Sequence, residues 1–573
     1  MDDAQSSRSW QRWNSMVEQR EDQIFLLLTL LIGALAGLAV VAFIVLTERT
    51  SLRLYPAHGE PWRRLFLPVS CSLAMGYLLY RYFPDARGSG VPQTKAALFA
   101  RDGRITLGTV LGKFFCTSAT LACGIPLGRE GPSVQVGAGI ASVLGRFVGL
   151  RPEKVKALIP VGATAAIAAA FNTPMAAVLF SLEEVMGDLH APVLGSVVLA
   201  SATSWAILRV LLGNNPLFHV PQYELVHPVE FVFYAVLGVA GGFLSVAFTK
   251  LLLGMRQRFL LLPRKTRWWH PVGGGLVVGL MGFFVPQVLG VGYSYVGDAL
   301  NGSMALRLML VLVVLKLFAI TTSYASGNAG GIFGPSLFLG AMLGGAVGNV
   351  AHHFFPAHTA TPGAYALVGM GALFAGIVRA PMTSVLMIFE MTRDYSVIVP
   401  LMIANLASLF ISSRLQKQPI YEALAHQDGI HLPLSGRRSE SGQHRVFEIM
   451  RSAAETFPAS MSAVEALQRA RAGQFRGFLV TDEENLVAVL SRSHLETALG
   501  GDGTEKKLGD FVTSLEFPHV HSDHALHIAL ERMSQAQVDL LPVVSRADVH
   551  KLEGVVTLHD LLDSYGVNPT GSA

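Results

Sequence analysis

Charge is scarce in this sequence: Asp, Glu, Lys and Arg together make up 15% of its 573 residues, whereas 51% are hydrophobic and the mean hydropathy is +0.45. Soluble chains carry roughly a quarter charged residues, so the deficit excludes an ordinary soluble protein and indicates an integral membrane one. Cysteine is scarcer still. Cys71, Cys116 and Cys123 are an odd set in apolar surroundings, which excludes a disulfide framework and leaves them as packing residues. The net charge of +4 is too small to neutralise a phosphate backbone, so nucleic-acid binding is not expected. Metal-ligand patterns are missing too. His352, His353 and His358 flank a Phe-Phe-Pro turn, and His519, His521 and His524 stand without cysteine or acidic partners in a ligand pattern, so no metal is predicted. No small-residue cleavage site follows the first apolar run. That run, Ile24 to Leu46, has the roughly 20 residues a bilayer span requires and is expected to remain as a transmembrane helix.

Glycine is plentiful, at 57 residues, and it breaks the apolar segments into pieces, several of them too short to span. Between Leu127 and Gly137 the chain reads Leu-Gly-Arg-Glu-Gly-Pro-Ser-Val-Gln-Val-Gly. This sets Arg129 and Glu130 at a helix start inside membrane-like sequence. Ionisable residues at that depth are costly and usually face a pathway, and a helix N-terminus favours anions. Glu130, itself an anion, is therefore a candidate to occupy an anion position. An ion pair between Arg129 and Glu130 is the structural alternative. Upstream, Gly88-Ser89-Gly90-Val91-Pro92 opens a short helix, with Ser89 a candidate N-cap.

The same pattern returns later in the chain. Gly131-Pro132-Ser133 followed by Gly137-Ala138 recurs as Gly334-Pro335-Ser336 followed by Gly340-Ala341. Lys113 stands 19 residues before Pro132 and Lys316 stands 19 before Pro335; Gly124 and Gly327 each precede those prolines by eight. Pro174 to Glu183 and Pro381 to Glu390 repeat a nine-residue interval. Four matches in order, roughly 205 residues apart, are an internal repeat. Short Gly- and Pro-broken segments in matching halves point to a transport site built from paired helix N-termini near the membrane midplane. Backbone N–H groups and helix dipoles select an anion, where a cation path would need carbonyls or carboxylates. Glu183 and Glu184 lie about 100° apart on a helix, so one of them at most faces a given pathway. Glu390 and Asp394 are expected to hold structure. Lys113 and Lys316 either neutralise buried carboxylates or share a role in making the interior positive.

After Ser413 the composition changes. A polar stretch from Ala425 to Arg445 reads as a linker, and from Val446 onward a soluble α/β pattern is doubled. Phe478-Leu479-Val480 leading to Ser491 and His494 parallels Leu541-Pro542-Val543 leading to Thr557 and Asp560.

Gly88-Ser89-Gly90-Val91-Pro92, Gly128-Arg129-Glu130-Gly131-Pro132, Gly331-Ile332-Phe333-Gly334-Pro335 and Tyr421 together resemble the anion-site elements of the CLC family of chloride channels and proton-coupled chloride exchangers, over residues 22 to 425. The tail resembles a tandem CBS pair. The fold so implied is an all-α polytopic membrane domain of two inverted repeats with broken, tilted helices, plus a cytosolic α/β CBS pair. Its expected parts are an N-terminal segment 1–21, a transport domain 22–424, a linker 425–445, a tandem CBS domain 446–567 and a tail 568–573. Within the transport domain, repeat one covers about 60–212 and repeat two about 228–413.

The resemblance implies specific roles. Ser89 and Tyr421 would donate hydroxyls to a central chloride, completed by the N–H groups of Ile332 and Phe333. Those around Arg129 to Gly131 would line an outer site, Glu130 would gate it and carry a proton, and Glu184 would pass protons from the inside. Gly334 departs from relatives that place alanine or isoleucine before this proline. Thr557 and Asp560 match the pattern that holds a nucleotide ribose, which makes an adenine nucleotide the one candidate cofactor; Ser491 and His494 depart from it. The implied activity is chloride/proton antiport, with a chloride channel of the same family as the alternative. The expected partners are chloride, protons, membrane lipid and a second copy of the chain, in a bacterial inner membrane with both termini cytoplasmic. An intramembrane hydrolase using Ser89 would need a nearby base, and a CBS-bearing magnesium transporter would meet helix ends of the wrong polarity; neither explains the repeat.

Overall fold

The computed structural model describes residues 21–56, 59–188, 193–213, 218, 221, 223, 225–430, 445–451, 456–472, 477–482, 485–492, 495–496, 506–512, 517–546 and 548–565. The expected N-terminal segment short of Glu21, the tail 568–573, most of the linker 425–445 and His494 lie outside them. The chain divides into two compact units, residues 1–432 and 433–573.

The first unit is all helix. In chain order it comprises α1 (Glu21–Leu54), α2 (Arg63–Arg81), α3 (Val91–Ala100), α4 (Leu107–Ala122), α5 (Glu130–Val148), α6 (Pro152–Phe171), α7 (Pro174–Phe180) and α8 (Leu194–Leu212). There follow α9 (Glu230–Leu261), α10 (His270–Phe284), α11 (Tyr293–Leu300), α12 (Leu306–Ser326), α13 (Phe333–Phe354), α14 (Pro362–Val378), α15 (Pro381–Thr392), α16 (Ile398–Leu415) and α17 (Ile420–Gln427). The second eight repeat the first eight in kind and order, and this extends the correspondence beyond the expected start near residue 60: the long α1 and α9 are counterparts, packed on α8 and α16 respectively. α17 runs past the expected linker start at 425, and Asp428 behind it is tied to Arg256 at 2.5 Å. Seven helices among the described residues are long and apolar enough to cross a membrane.

Local sequence explains why both halves break at the same places. α6 ends on Asn172 (φ 60°) and α14 on Arg379 (φ 66°), both left-handed, a conformation that stops a helix. Two residues later Pro174 and Pro381 occupy the first position of the next helix, where proline loses nothing. Neither α7 nor α15 has a capping side chain of its own; each receives one from the other half. Glu390 accepts from the N–H groups of Met175 (3.1 Å) and Ala176 (2.7 Å), and Glu183 accepts from Met382 (3.4 Å) and Thr383 (2.9 Å). The structural role expected of Glu390 is thus a reciprocal cap. Close packing is duplicated as well. A Cβ at Gly137 would strike the carbonyl of Gly162, and one at Gly340 the carbonyl of Gly369, so α5 on α6 and α13 on α14 approach as small residues allow in a membrane.

The second unit holds the doubled pattern. β2 (Gly477–Asp482) pairs antiparallel with β3 (Asn485–Ser491) and parallel with β1 (Thr456–Pro458), while β4 (Leu540–Val544) pairs antiparallel with β5 (Leu552–Thr557). Helices Ala463–Ala472 and Leu526–Ala536 precede the two hairpins, and Leu558–Ser564 follows the second.

Replacing Glu183 or Glu390 by Ala leaves two helix-start N–H groups without acceptors. Each single change is expected to lower stability by about 0.5–2 kcal/mol, the usual scale for losing a cap, read as a drop in melting temperature in detergent.

Candidate functional site

The two Gly-Pro helix starts meet head to head. Gly128 N–H donates to the Gly331 carbonyl at 2.7 Å and Gly331 N–H to the Gly128 carbonyl at 2.7 Å, an antiparallel bridge between the halves. The first turns of α5 and α13 therefore converge, each with N–H groups that no helix carbonyl can satisfy. Glu130 is fully buried there and reaches across the bridge. Its Oε2 accepts from Gly334 N–H, on the opposite half, at 3.1 Å, and its Oε1 accepts from the Tyr293 hydroxyl. Arg129 pairs instead with Glu48, at 3.2 Å, and lies over the Tyr293 ring, 5.6 Å from its centroid. The Arg129–Glu130 ion pair is therefore not formed. Gly334 is needed for this seat: a Cβ there would stand 2.8 Å from the Tyr293 hydroxyl and 2.9 Å from Glu130 Oε2.

Ser89, Tyr421, Ile332 and Phe333 are all buried. Ser89 does not cap α3. The cap position is Gly90, with φ 106°, whose N–H donates to Gln93 Oε1 at 2.8 Å. One residue upstream, the Ser89 hydroxyl and that of Tyr421 lie within reach of each other, and neither makes a hydrogen bond of good geometry to any protein group among the described residues. α17 packs on α3, and Tyr421 lies within electrostatic reach of Glu184, Tyr324 and Glu130. Two buried hydroxyls without acceptors are an expensive arrangement unless a ligand supplies one. Phe333 packs against Phe171, Phe180 and Phe374, with centroids 4.7, 5.5 and 4.4 Å away, and this fixes the start of α13.

After α7 the helix widens into a π turn over Ser181–Met186, which separates the two neighbouring carboxylates. Glu183 caps α15. Glu184 turns inward and pairs with Lys95 Nζ of α3 at 2.8 Å, both side chains buried. Among the described residues the two repeated lysines pair with no carboxylate. Lys113 Nζ donates to the carbonyls of Gly88 (2.7 Å) and Arg87 (3.4 Å), and Lys316 Nζ to those of Gly290 (2.7 Å) and Val288 (3.0 Å). Their shared role is to hold the loops that open α3 and α11.

Tyr293, Lys95 and Tyr324, which donates no bond to Ser89 but accepts one from its N–H at 3.2 Å, escape a reading of the sequence. For Tyr293 a signal exists: Gly290-Val291-Gly292 before it repeats Gly88-Ser89-Gly90. Lys95 has none, since its partner lies 89 residues away.

In the second unit Thr557 and Asp560 cap the final helix together. Thr557 Oγ1 donates to Asp560 Oδ2 at 2.6 Å, Asp560 N–H returns a bond to Thr557 Oγ1 at 3.2 Å, and Arg451 pairs with the other carboxylate oxygen.

Two inverted halves of broken helices, meeting at paired helix starts in a membrane-spanning unit, define an inverted-repeat membrane protein, followed in the chain by a separate α/β unit. The sequence profile of the voltage gated chloride channel family matches residues 71–413, and that of the CBS domain matches 446–501 and 508–566. The chain belongs to the voltage gated chloride channel family and carries tandem CBS domains. It is 34% identical over 420 residues to the H(+)/Cl(-) exchange transporter ClcA of Vibrio cholerae serotype O1 (strain M66-2), covering 70% of this chain and 89% of that one. The Cronobacter sakazakii (strain ATCC BAA-894) protein of the same name is 34% identical over 414 residues, covering 70% and 88%. Among solved structures, a slow cyanobacterial Cl-/H+ antiporter superposes with a TM-score of 0.65 at 26% identity, covering 70% of this chain and 97% of its own. A eukaryotic CLC transporter shares the fold over 94% of this chain and 97% of its own, with a TM-score of 0.61 at 20% identity.

The Lys95–Glu184 pair generates a test of its own. Lys95→Met strands a buried carboxylate and is expected to cost about 3–5 kcal/mol, whereas Lys95→Met with Glu184→Met removes both charges and recovers most of that loss. Melting temperatures of the wild type, the two single variants and the double variant complete the cycle.

Proposed function

We propose that this chain exchanges chloride for protons across a membrane, with Glu130 as the gate and proton carrier. The observation that carries the reading is the Glu130 carboxylate seated on the Gly334 N–H and the Tyr293 hydroxyl, where a negative charge from the protein takes the place an anion would fill. Its relatives support the same reading, being named chloride/proton exchangers.

The chemistry follows from the donors. Ionised, Glu130 satisfies the exposed helix start and blocks it. Protonated, it no longer outcompetes chloride for N–H and O–H donors, so it leaves the seat and takes its proton with it. Chloride then follows the line of donors from Ser89 and Tyr421, through the N–H groups of Ile332 and Phe333, to those from Arg129 to Gly131. Glu184, held by Lys95, passes protons between Glu130 and the other face. The Ser89 hydroxyl has no base in hydrogen-bond reach among the described residues, which favours a ligand donor over a nucleophile. The working form is a homodimer in a bacterial inner membrane with both termini in the cytoplasm. Thr557 and Asp560 hold the ribose of an adenine nucleotide at the CBS pair, with Arg451 displaced from Asp560 when it binds; no other cofactor is required.

In proteoliposomes with a chloride gradient the wild type is expected to drive protons uphill. Glu130→Ala keeps chloride flux and loses proton movement; Glu184→Ala loses proton coupling as well. Passive chloride current with no proton uptake by the wild type is the result that sinks the exchanger reading. The nearest atoms to a Cβ at Gly334 are the side-chain tips of Tyr293 and Glu130, so Gly334→Ala is expected to fold normally. It weakens the closed seat by one charge-assisted hydrogen bond, roughly a tenfold effect, and chloride efflux at neutral pH rises accordingly.

A further inference from the structure

A basic cavity adjoins the loop that carries Ser89. This cavity of about 320 Å³ is lined by five arginines and two aspartates, together with His270, Gly88 and Tyr324. Its carboxylates are already taken: Asp85 faces Arg101 at 3.6 Å and Asp428 pairs with Arg256 at 2.5 Å. Arg87 and Arg267 have no carboxylate partner among the described residues. Arg87 Nη2 donates to the Arg267 carbonyl at 2.9 Å, which brings the two residues together, and the Nε atoms of both are buried without an acceptor. Arg87, Arg267 and His270 lie within electrostatic reach of one another, and like charges crowded this way repel.

A guanidinium carries five N–H donors in a fixed planar fork, of which Arg87 spends one, from Nη2, on the Arg267 carbonyl. That fork matches two oxygens of one phosphate group, whereas chloride offers a single acceptor centre. Gly88 and Tyr324 are among the residues that line the cavity, and Tyr324 in turn accepts the Ser89 N–H. An occupant would stand beside the loop that presents Ser89.

We propose that Arg87 and Arg267 bind a phosphate group in this cavity, from inorganic phosphate or from an anionic lipid headgroup, and that its presence slows chloride exchange. The slowing rests on the reading of Ser89 as part of the chloride pathway; the binding does not.

The test uses the full chain in nanodiscs. Inorganic phosphate is titrated at constant ionic strength in phosphatidylcholine discs, with the melting temperature as readout, and retention of phosphatidic acid is measured by mass spectrometry in a parallel arm. Binding in the first arm identifies a soluble ligand, and retention in the second a headgroup. Arg87→Gln with Arg267→Gln is expected to weaken the active arm by about tenfold or more. Arg87→Lys with Arg267→Lys, which keeps the charge and guards against a folding defect, should weaken it similarly. No binding in either arm, or binding unchanged in both variants, overturns the site. The ligand identified is then added to wild-type proteoliposomes. Binding that leaves chloride flux unchanged overturns the regulatory half of the proposal and leaves the binding half standing.

Discussion

Two hydrogen bonds between Gly128 and Gly331 hold the starts of α5 and α13 face to face, and the remainder of the membrane unit depends on that meeting. Each start carries N–H groups without helical acceptors, and no water in a bilayer core is available to satisfy them. Bringing two such ends together creates a demand for negative charge that one carboxylate, Glu130, meets. The surrounding structure keeps the ends in place. Lys113 and Lys316 pin the loops behind them, the aromatic group around Phe333 braces one side, and paired glycines let α6 and α14 close against the outer walls.

The duplication separates structure from function. Residues with the same duty in both halves are structural: the two lysines on loop carbonyls, the reciprocal caps Glu183 and Glu390, the glycine pairs, and the left-handed residues before Pro174 and Pro381. Residues proposed to do the chemistry are unmatched. The position equivalent to Glu130 is Phe333, that of Ser89 is Val291, and that of Glu184 is Met391. A symmetric scaffold supplies paired donors, and the departures from symmetry fall at the residues proposed as gate and proton route. The crowded arginines beside Ser89 are another such departure.

Much of this was legible in the chain. Scarce charge and repeated Gly-Pro segments announce a membrane protein of two halves, because helix breaks are written in local residues. Ser89 as a cap of α3 was a local inference that failed, since a left-handed Gly90 takes that position and leaves the serine hydroxyl free. The residue pattern leaves Lys113 and Lys316 either neutralising buried carboxylates or sharing a role in both halves; their partners are carbonyls of loops 25 and 26 residues away. Glu183 and Glu184 could not be told apart by residue type, and a π turn decided which one caps and which one pairs.

The sequence by itself determined the membrane class, the repeat, the breaks in the helices and the identity of the one carboxylate at a paired helix start. These depend on hydropathy, backbone conformation and spacing, all local properties. Only the tertiary structure decided that Glu130 is seated on the opposite half, that Lys95 holds Glu184 and that Tyr293 closes the seat. The reason is physical: those contacts join residues 204, 89 and 163 positions apart, and a hydrogen bond depends on where the folded chain places donor and acceptor.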